Sequence, residues 1–284
     1  MTATAAAVQY YRPQDTAELY AILEAAPDDA LILSGGMTAM PYINRGEWTT
    51  SCVVSVTAVP ELNKIRLIDN AIVIGAATTH TDLTLDPLVA AHVPVLADAA
   101  AAVGDVQIRN RGTIGGTVAF ANSGADHVTT LAALDAVVVL GSTAGVRRVS
   151  MRTFVTGRRT TVRRVREVVL TIEVPLDETR VSAYLRLTRV QGASPVLTLV
   201  ACRDSNQQVL CIGGATARPV LLNGNSLFNS DDELRKVVHD AVTEPIGDQL
   251  SPPAYRHAMA SELAVRVVQK LRDRTKEKGP YGEG

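Results

Sequence analysis

Two glycine-rich segments carry the clearest chemical signal in this sequence. Residues 107–116 read Gln-Ile-Arg-Asn-Arg-Gly-Thr-Ile-Gly-Gly, and Ser34-Gly35-Gly36 ends a short apolar run just before Thr38. Glycine lets backbone N–H groups approach an anion closely, which suits a phosphate or a diphosphate. The longer segment matches neither G-x-x-x-x-G-K-[ST] nor G-x-G-x-x-G, and an isolated glycine pair more often marks a simple turn. Two such loops, however, could hold opposite sides of one diphosphate.

The surrounding sequence predicts the strands and helices that present these loops. Apolar and β-branched runs predict strands at 30–33, 51–56, 71–75, 137–141 and 167–174. Helices are predicted after Asp15, over 81–103 with interruptions near Pro87 and Pro94, and over 127–136. Strands that alternate with helices, with glycine loops at strand ends, indicate an α/β or α+β domain over residues 1–177.

The pattern changes after residue 177. Strand-like runs at 182–188, 196–202 and 209–213 precede two helical segments at 231–242 and 253–271. Strands followed by helices are typical of a small α+β unit, so we expect a second domain over 178–284.

Composition and charge exclude several classes of function. The 284 residues are 46% hydrophobic, which allows a substantial core, and the formal net charge is −1. Such a charge offers no electrostatic reason to bind nucleic acid or an anionic membrane. Arginines cluster at 147–148 and 158–166 without interleaved aromatic residues, so they are interpreted as a solvated face or a subunit contact.

Cysteine and histidine spacing gives no support for a metal site. Cys52, Cys202 and Cys211 lie far apart and form no C-x-x-C pair, and the histidines lack a spacing such as H-E-x-x-H. Scattered cysteines are typical of buried thiols in a reducing compartment, and no stretch is apolar over about 18 residues. We therefore expect a cytoplasmic protein without a transmembrane segment.

Further motifs accompany the glycine loops. They are Tyr11-Arg12-Pro13, Ser34-Gly35-Gly36-Met37-Thr38, Ile74-Gly75-Ala76-Ala77-Thr78-Thr79-His80, Leu134-Asp135-Ala136, Ala217-Arg218-Pro219-Val220 and Tyr255-Arg256. Together with residues 107–116, they resemble the FAD-binding medium subunit of the molybdenum hydroxylases. This family includes the medium subunit of carbon monoxide dehydrogenase and the equivalent FAD domain of xanthine dehydrogenase. The resemblance extends over nearly the whole chain.

The resemblance implies an α+β fold and FAD as the cofactor. The expected architecture is a two-subdomain FAD-binding domain of the vanillyl-alcohol-oxidase (PCMH) type, followed by a small domain with a three-stranded antiparallel sheet and helices. Backbone N–H groups of both glycine loops are expected to bind the diphosphate, and a valine at Gly36 or Gly115 to fill its space. The diphosphate-binding residues implied are Leu33, Ser34, Gly35, Gly36, Met37, Thr38, Ala39, Met40, Thr113, Ile114, Gly115, Gly116 and Thr117.

Three further residues are implied as FAD contacts, each with an alternative role. Asp126 lies where the family uses a carboxylate on the ribose or adenine side, but it could also cap the helix over 127–136. Val169 is expected against the isoalloxazine, or else it is an ordinary core residue. Arg186 replaces a family lysine near the flavin, and a surface arginine fits equally well. For His80 we favour a role in orienting the Thr78-Thr79 turn over a role in acid–base chemistry or in linking the flavin.

The resemblance also implies a function in which the chain needs no catalytic acid or base of its own. Electrons would pass from two [2Fe–2S] clusters of a small partner subunit to FAD here, after substrate oxidation in a large molybdopterin-binding subunit. The family's usual Ala-Asp-Pro is replaced by Ala121-Asn122-Ser123, and Thr117 stands where Asn or Ser is usual. These departures leave two alternatives open, a stand-alone FAD-dependent oxidase or monooxygenase-like enzyme and a non-catalytic nucleotide-binding module.

Overall fold

A computed structural model describes residues 7–277, so both predicted domains extend beyond the described residues. The strands up to residue 177 are β1 Gln9–Tyr11, β2 Leu31–Leu33, β3 Cys52–Ser55, β4 Ile65–Ile68, β5 Ala71–Gly75, β6 Val137–Ser142, β7 Gly145–Ser150, β8 Val155–Gly157, β9 Thr160–Thr161 and β10 Val168–Pro175. The helices in this part are α1 Thr16–Ala25, α2 Ala39–Asn44, α3 His80–Leu85, α4 Pro87–His92, α5 Pro94–Ala101, α6 Val106–Arg109, α7 Ile114–Phe120, α8 Asp126–Ala133 and α9 Met151–Phe154, with a 3-10 helix at Pro60–Asn63. The remaining elements are β11 Val181–Leu187, β12 Leu197–Arg203, β13 Gln208–Gly213, β14 Val220–Gly224, α10 Asp231–Ala241 and α11 Pro253–Glu277.

The N-terminal sheet is parallel, with strand order β1-β3-β2. The helix α1 connects β1 to β2, which lie on the two sides of β3 in this sheet. Its start is as predicted: the Asp15 carboxylate accepts a hydrogen bond from the Glu18 N–H at 2.8 Å, and Glu18 accepts one from the Gln14 N–H at 2.7 Å. Leu19 and Leu23 of α1 pack into the core beneath this sheet. The sheet places the end of β2, and so the first glycine loop, at its carboxyl edge.

The second sheet is antiparallel, with order β4-β5-β10-β6-β7, and helices cover one of its faces. The helix predicted over 81–103 is in fact three short helices, because Pro87 and Pro94 each occupy the first turn of a new helix. Ile114 of α7 and Leu131 of α8 are fully buried in the same core as Ile72 and Ile74 of β5. The second glycine loop is therefore anchored to the centre of this layer.

The C-terminal sheet has four antiparallel strands rather than three, in the order β11-β12-β13-β14. The additional strand, β14, begins at Val220 and was not predicted because its short apolar run leads directly into Asn223 and Gly224. β14 forms its backbone hydrogen bonds with β13, a pairing that the local sequence does not indicate. The α+β class is confirmed, and the strand number is corrected.

This sheet packs on both of its faces. One face lies against α10 and α11, where Leu199, Leu234 and Val267 are buried. Tyr184 and Cys211, from the same sheet, join the core that contains α8. Because this core continues across residue 177, the division of the chain there remains a prediction. None of the helices between residues 7 and 277 combines the length and apolar character that crossing a bilayer requires.

Candidate functional site

The first glycine loop connects β2 to α2 and presents a row of unpaired donors. Gly36 has φ of +75°, a left-handed conformation that glycine adopts without a Cβ clash. In the part of the chain that the structure describes, the amide N–H groups of residues 35–39 donate to no protein acceptor. Consecutive free amides attract an anion. This loop therefore has the donors that the sequence predicted for a diphosphate.

The second glycine loop has far fewer free donors. Thr113 caps α7, and its hydroxyl accepts a hydrogen bond from the Gly116 N–H at 3.2 Å. The Ile114 N–H donates to the Thr78 carbonyl at 3.0 Å, and the Gly115 N–H donates to the Ala76 carbonyl at 2.9 Å. The expectation that backbone amides of both loops bind the diphosphate is thus wrong for Ile114 and Gly115, because their N–H groups already donate to carbonyl groups of residues 76–78.

The two loops touch each other, whereas the sequence predicted that they hold opposite sides of one diphosphate. The Thr113 hydroxyl donates to the Ser34 hydroxyl at 2.9 Å, across 79 residues of sequence. A Cβ added to Gly35 would lie 1.7 Å from the Arg111 carbonyl oxygen, so only glycine allows the two backbones to come this close. The loops therefore form one wall rather than two separate sites.

Gly115 does not serve the purpose that the sequence suggested. A Cβ there would lie 2.5 Å from both the Cβ and the carbonyl oxygen of Ala76, so this glycine allows α7 to pack on the end of β5. A Cβ on Gly116, in contrast, would meet only the Thr113 hydroxyl, at 2.9 Å. A larger side chain at Gly115 would collide with protein and not with a ligand.

The substitution Gly115→Ala should therefore act mainly on the stability of the fold, by lowering the free energy of unfolding, and less on ligand binding. Forcing a methyl group into a packed contact costs roughly 1–3 kcal/mol of unfolding free energy, measurable by urea denaturation. Gly224→Ala is the matched control, because nothing lies within 4 Å of a Cβ at that position. Unchanged stability together with lost FAD would contradict this packing role.

A cavity of about 590 Å³ lies beside both loops. The predicted residues in its wall are Leu33, Ser34, Gly35, Gly36, Met37, Thr38, Ala39, Thr113, Gly115, Gly116, Thr117, Asp126, Val169 and Arg186. Two predicted residues are not in the wall, because the helices that begin in the loops turn them away. Ile114 is fully buried in the core, and Met40, on α2, is 42% exposed.

Asp126 belongs to a buried polar network at one side of the cavity. It is the first residue of α8, and Ala125 occupies the cap position without a side-chain hydrogen bond, so the capping role is wrong. The Tyr184 hydroxyl donates to Asp126 Oδ1 at 2.5 Å, and Arg186 Nε lies 3.6 Å from the same oxygen. Burial raises the pKa of the Asp126 carboxyl, against the opposing effect of the Arg186 charge.

Arg186 is held in place and is not a surface arginine. Its guanidinium donates to the Ala102 carbonyl oxygen and, at 2.6 Å, to the Ala193 carbonyl oxygen. Only 14% of the side chain is exposed. Because Asp126 and Arg186 are adjacent, they face the same part of the cavity, although the sequence suggested different portions of FAD for them.

Val169 lies in the cavity wall beside a β-bulge. The pairing of β10 with β6 shifts register between Val169 and Thr171, which leaves Leu170 as an extra residue. Such a bulge interrupts the usual alternation of side chains along a strand. Val168 and Val169 both contribute to the cavity wall, although Val168 packs in the core beneath the N-terminal sheet and Val169 in the core that contains α8.

A buried histidine pair also contributes to the wall. The rings of His80 and His127 stack with centroids 4.6 Å apart and an angle of 26° between planes. Burial and the nearby Arg109 charge lower the pKa of His80 to about 4, so the ring is neutral at pH 7. The Thr78-Thr79 turn, which the sequence analysis assigned to His80, is instead ordered by a capping box between Thr79 and Asp82 at the start of α3. The role proposed for His80 in orienting this turn is therefore wrong.

Other residues of the wall were missed by the sequence analysis. Arg163 and Arg166 belong to the arginine cluster that was interpreted as a solvated face or a subunit contact, yet both line the cavity. Arg166 forms ion pairs with Glu24 at 3.3 Å and Asp28 at 3.7 Å. Trp48 and Phe120 line another portion of the wall. Nothing in local sequence indicates these positions, because they come from distant segments.

The residues of this cavity fit FAD. Free amides at residues 35–39 suit a diphosphate, and apolar wall residues such as Ile32 and Val169 suit its two ring systems. Asp126 and Arg186 supply polar groups that could orient a heteroaromatic ring.

Among residues 7–277, no three or more His, Cys, Asp or Glu residues lie close enough together to hold a metal ion. Burial raises the pKa of the Cys202 and Cys211 thiols, which makes them poor ligands and nucleophiles.

Comparisons with known proteins agree with this fit. The carbon monoxide dehydrogenase medium chain of Hydrogenophaga pseudoflava is 31% identical, over 92% of this chain and 95% of that protein. The 6-hydroxypseudooxynicotine dehydrogenase complex subunit alpha of Paenarthrobacter nicotinovorans is 30% identical, over 90% of this chain and 91% of that protein. The structure of reconstituted CO dehydrogenase from Oligotropha carboxidovorans superposes with a TM-score of 0.89 at 26% identity, covering 94% of this chain and 98% of that one. The model of the family described as the FAD binding domain in molybdopterin dehydrogenase matches residues 6–177. The chain therefore belongs to this family of FAD-dependent oxidoreductase subunits, and its cofactor is FAD.

Proposed function

We propose that this chain is the electron-transfer subunit of a molybdenum-containing hydroxylase or dehydrogenase. It would work with a large molybdopterin-binding subunit and a small [2Fe–2S] subunit, and deliver electrons to an external acceptor. One observation carries the proposal: the described cavity residues fit a cofactor but provide no free acid–base pair. The Asp126 carboxylate accepts a hydrogen bond from the Tyr184 hydroxyl, and the stacked rings of His80 and His127 are buried and neutral. The names of the relatives, a medium chain and a subunit alpha, support a role within an assembly.

Bound FAD would supply the two-electron redox chemistry, and the chain positions and tunes it. The free amides of residues 35–39 would hold the diphosphate, with the Thr38 and Thr113 hydroxyls beside them. We assign Asp126 and Arg186 together to the isoalloxazine side, because Arg186 Nε lies 3.6 Å from Asp126 Oδ1, and we keep Val169 at its expected place against the isoalloxazine. We also propose the domain division at residue 177, which the match of the family model to residues 6–177 supports. A cytoplasmic location stays a prediction.

Purification of the native protein under mild conditions tests this function. The chain should elute together with molybdenum, iron and two further polypeptides, one large and one small. A chain that is purified alone, and whose flavin is reduced rapidly by a small organic substrate, would instead be a stand-alone FAD-dependent enzyme. A bound flavin that neither partners nor substrates reduce would indicate a non-catalytic binding module.

The substitution Arg186→Met should lower the midpoint potential of the flavin. The buried guanidinium stabilises added negative charge, and its loss should shift the potential by roughly 30 mV, or about 1.4 kcal/mol for a two-electron couple. Spectroelectrochemical titration measures this shift. The matched control is Arg203→Met, because Arg203 ends β12 and is exposed. Equal potentials in both variants and in the unaltered protein would remove Arg186 from the flavin site.

A further inference from the structure

Three aromatic residues and one arginine form a cluster next to the FAD cavity, which we call the aromatic clamp: Tyr42, Trp48, Phe120 and Arg159. Tyr42 and Trp48 stack with ring centroids 4.6 Å apart and planes at 15°. Phe120 lies 6.3 Å from the Tyr42 ring and 6.2 Å from the Trp48 ring, in tilted orientations. These are favourable geometries for aromatic pairs. The cluster contains the single tryptophan of the sequence.

The clamp joins the two helices that begin in the glycine loops. Tyr42 lies on α2, which follows the first loop, and Phe120 is the last residue of α7, which follows the second. The Tyr42 carbonyl accepts hydrogen bonds from the Glu47 N–H at 2.9 Å and the Trp48 N–H at 3.3 Å. These bonds fold the chain back so that Trp48 reaches the Tyr42 ring. The two loop-and-helix segments thus contact each other twice: at Ser34 and Thr113, where the loops begin, and again at Tyr42 and Phe120 in the clamp.

Arg159 closes the clamp from a third segment. It lies in the turn between β8 and β9, and its guanidinium is 4.9 Å from the Phe120 ring centre and 5.5 Å from that of Tyr42. Its φ of +56° is unfavourable for a residue with a side chain, so surrounding contacts must maintain it. One such contact is the hydrogen bond from the Arg159 N–H to the Ala121 carbonyl at 3.2 Å, directly after α7.

We propose that the aromatic clamp holds the two glycine loops at the separation that the FAD diphosphate requires. Trp48 and Phe120 line the cavity, whereas Tyr42 and Arg159 are absent from its wall. Tyr42 and Arg159 are therefore positioning residues that act on FAD binding through the loops. This role concerns cofactor affinity and is independent of whether the chain transfers electrons within a larger assembly.

Titration of FAD into the apoprotein, followed by flavin fluorescence, tests the proposal. Tyr42→Ala and Arg159→Ala should each weaken FAD binding by about 10-fold, while Tyr42→Phe, which keeps the stack, should stay within about 2-fold of the unaltered protein. ADP, which contains the diphosphate but no flavin, should lose affinity by the same factor. Tyr255→Ala is the matched control, since Tyr255 is an exposed aromatic on α11.

Two measurements separate loop positioning from general damage to the fold. Arg159 is exposed, so its replacement should leave the midpoint of thermal unfolding unchanged. Trp48 emission in the apoprotein should shift to longer wavelength in Arg159→Ala, which reports a looser clamp. FAD and ADP affinities that stay unchanged in Arg159→Ala would overturn the proposal, as would a loss in Tyr42→Phe equal to that in Tyr42→Ala.

Discussion

Replacing Gly35 by alanine should weaken FAD binding by at least about 100-fold, or roughly 2.7 kcal/mol. The added Cβ would lie 1.7 Å from the Arg111 carbonyl oxygen and 2.6 Å from its carbon, and both are backbone atoms that cannot rotate away. The loops must separate, which breaks the hydrogen bond between Thr113 and Ser34 and displaces the free amides of residues 35–39. The ratio of flavin absorbance to protein absorbance after purification, and FAD titration, measure the effect.

The variant Gly224→Ala controls for the general cost of replacing a glycine, because a Cβ there has open space around it. Gly35→Ala should remain folded, since the contact joins two loops and leaves the sheet cores intact. Stoichiometric FAD in purified Gly35→Ala would show that the loops do not need this close approach, and the diphosphate site would have to lie elsewhere.

Acidification should destabilise the protein through the buried histidine pair. The native state holds His80 neutral with a pKa of about 4, whereas an unfolded chain has the usual 6.5. The unfolded state therefore binds more protons between these values, and the unfolding free energy falls as pH is lowered through this window. For His80 alone, the loss between pH 7 and pH 4 is about 3 kcal/mol. Burial lowers the pKa of His127 as well, which acts in the same direction.

Urea denaturation at several values between pH 7 and pH 4 tests this dependence. His80→Phe, which can keep the ring stack without a titrating group, should reduce the acid-induced loss by about 3 kcal/mol. His92→Gln is the matched control, because His92 is exposed. Asp126 contributes with the opposite sign, since its raised pKa makes the native state hold the proton more firmly. If His80→Phe lost as much stability in acid as the unaltered protein, the histidine would not be buried in its neutral form.

The elements that local chemistry determines were predicted well. Pro87 and Pro94 interrupt a helical pattern because proline has no N–H to donate, and the helices α4 and α5 begin at these residues. Asp15 and Glu18 marked the start of α1, and the β-branched run at 71–75 is β5 at the same bounds. The residues that cause these features lie within a few positions of each other, so the sequence displays them directly.

Predictions that depend on contacts with residues distant in the sequence were correct less often. Gly35 and Gly115 look alike in sequence, but the first contacts the other loop and the second contacts Ala76. The sequence suggested Asp126 as a helix cap, yet Ala125 occupies that position and the Tyr184 hydroxyl, distant along the chain, donates to the Asp126 carboxylate. β14 formed where local propensity is weak, because β13 offered an unpaired edge. In each case the deciding partner lies on a different segment.

The sequence by itself predicted that two glycine loops, rather than charged side chains, provide the cofactor site, and both loops lie in the cavity wall. It also indicated the FAD-binding family, and all but Met40 and Ile114 of the site residues that it predicted lie in the cavity wall. Only the tertiary structure decided that the first loop alone keeps a row of free amides, that His80 stacks on His127, and that an aromatic clamp connects the loops. The physical reason is that a residue's type sets which bonds it can make, whereas packing between distant segments sets which of those bonds remain available to a ligand.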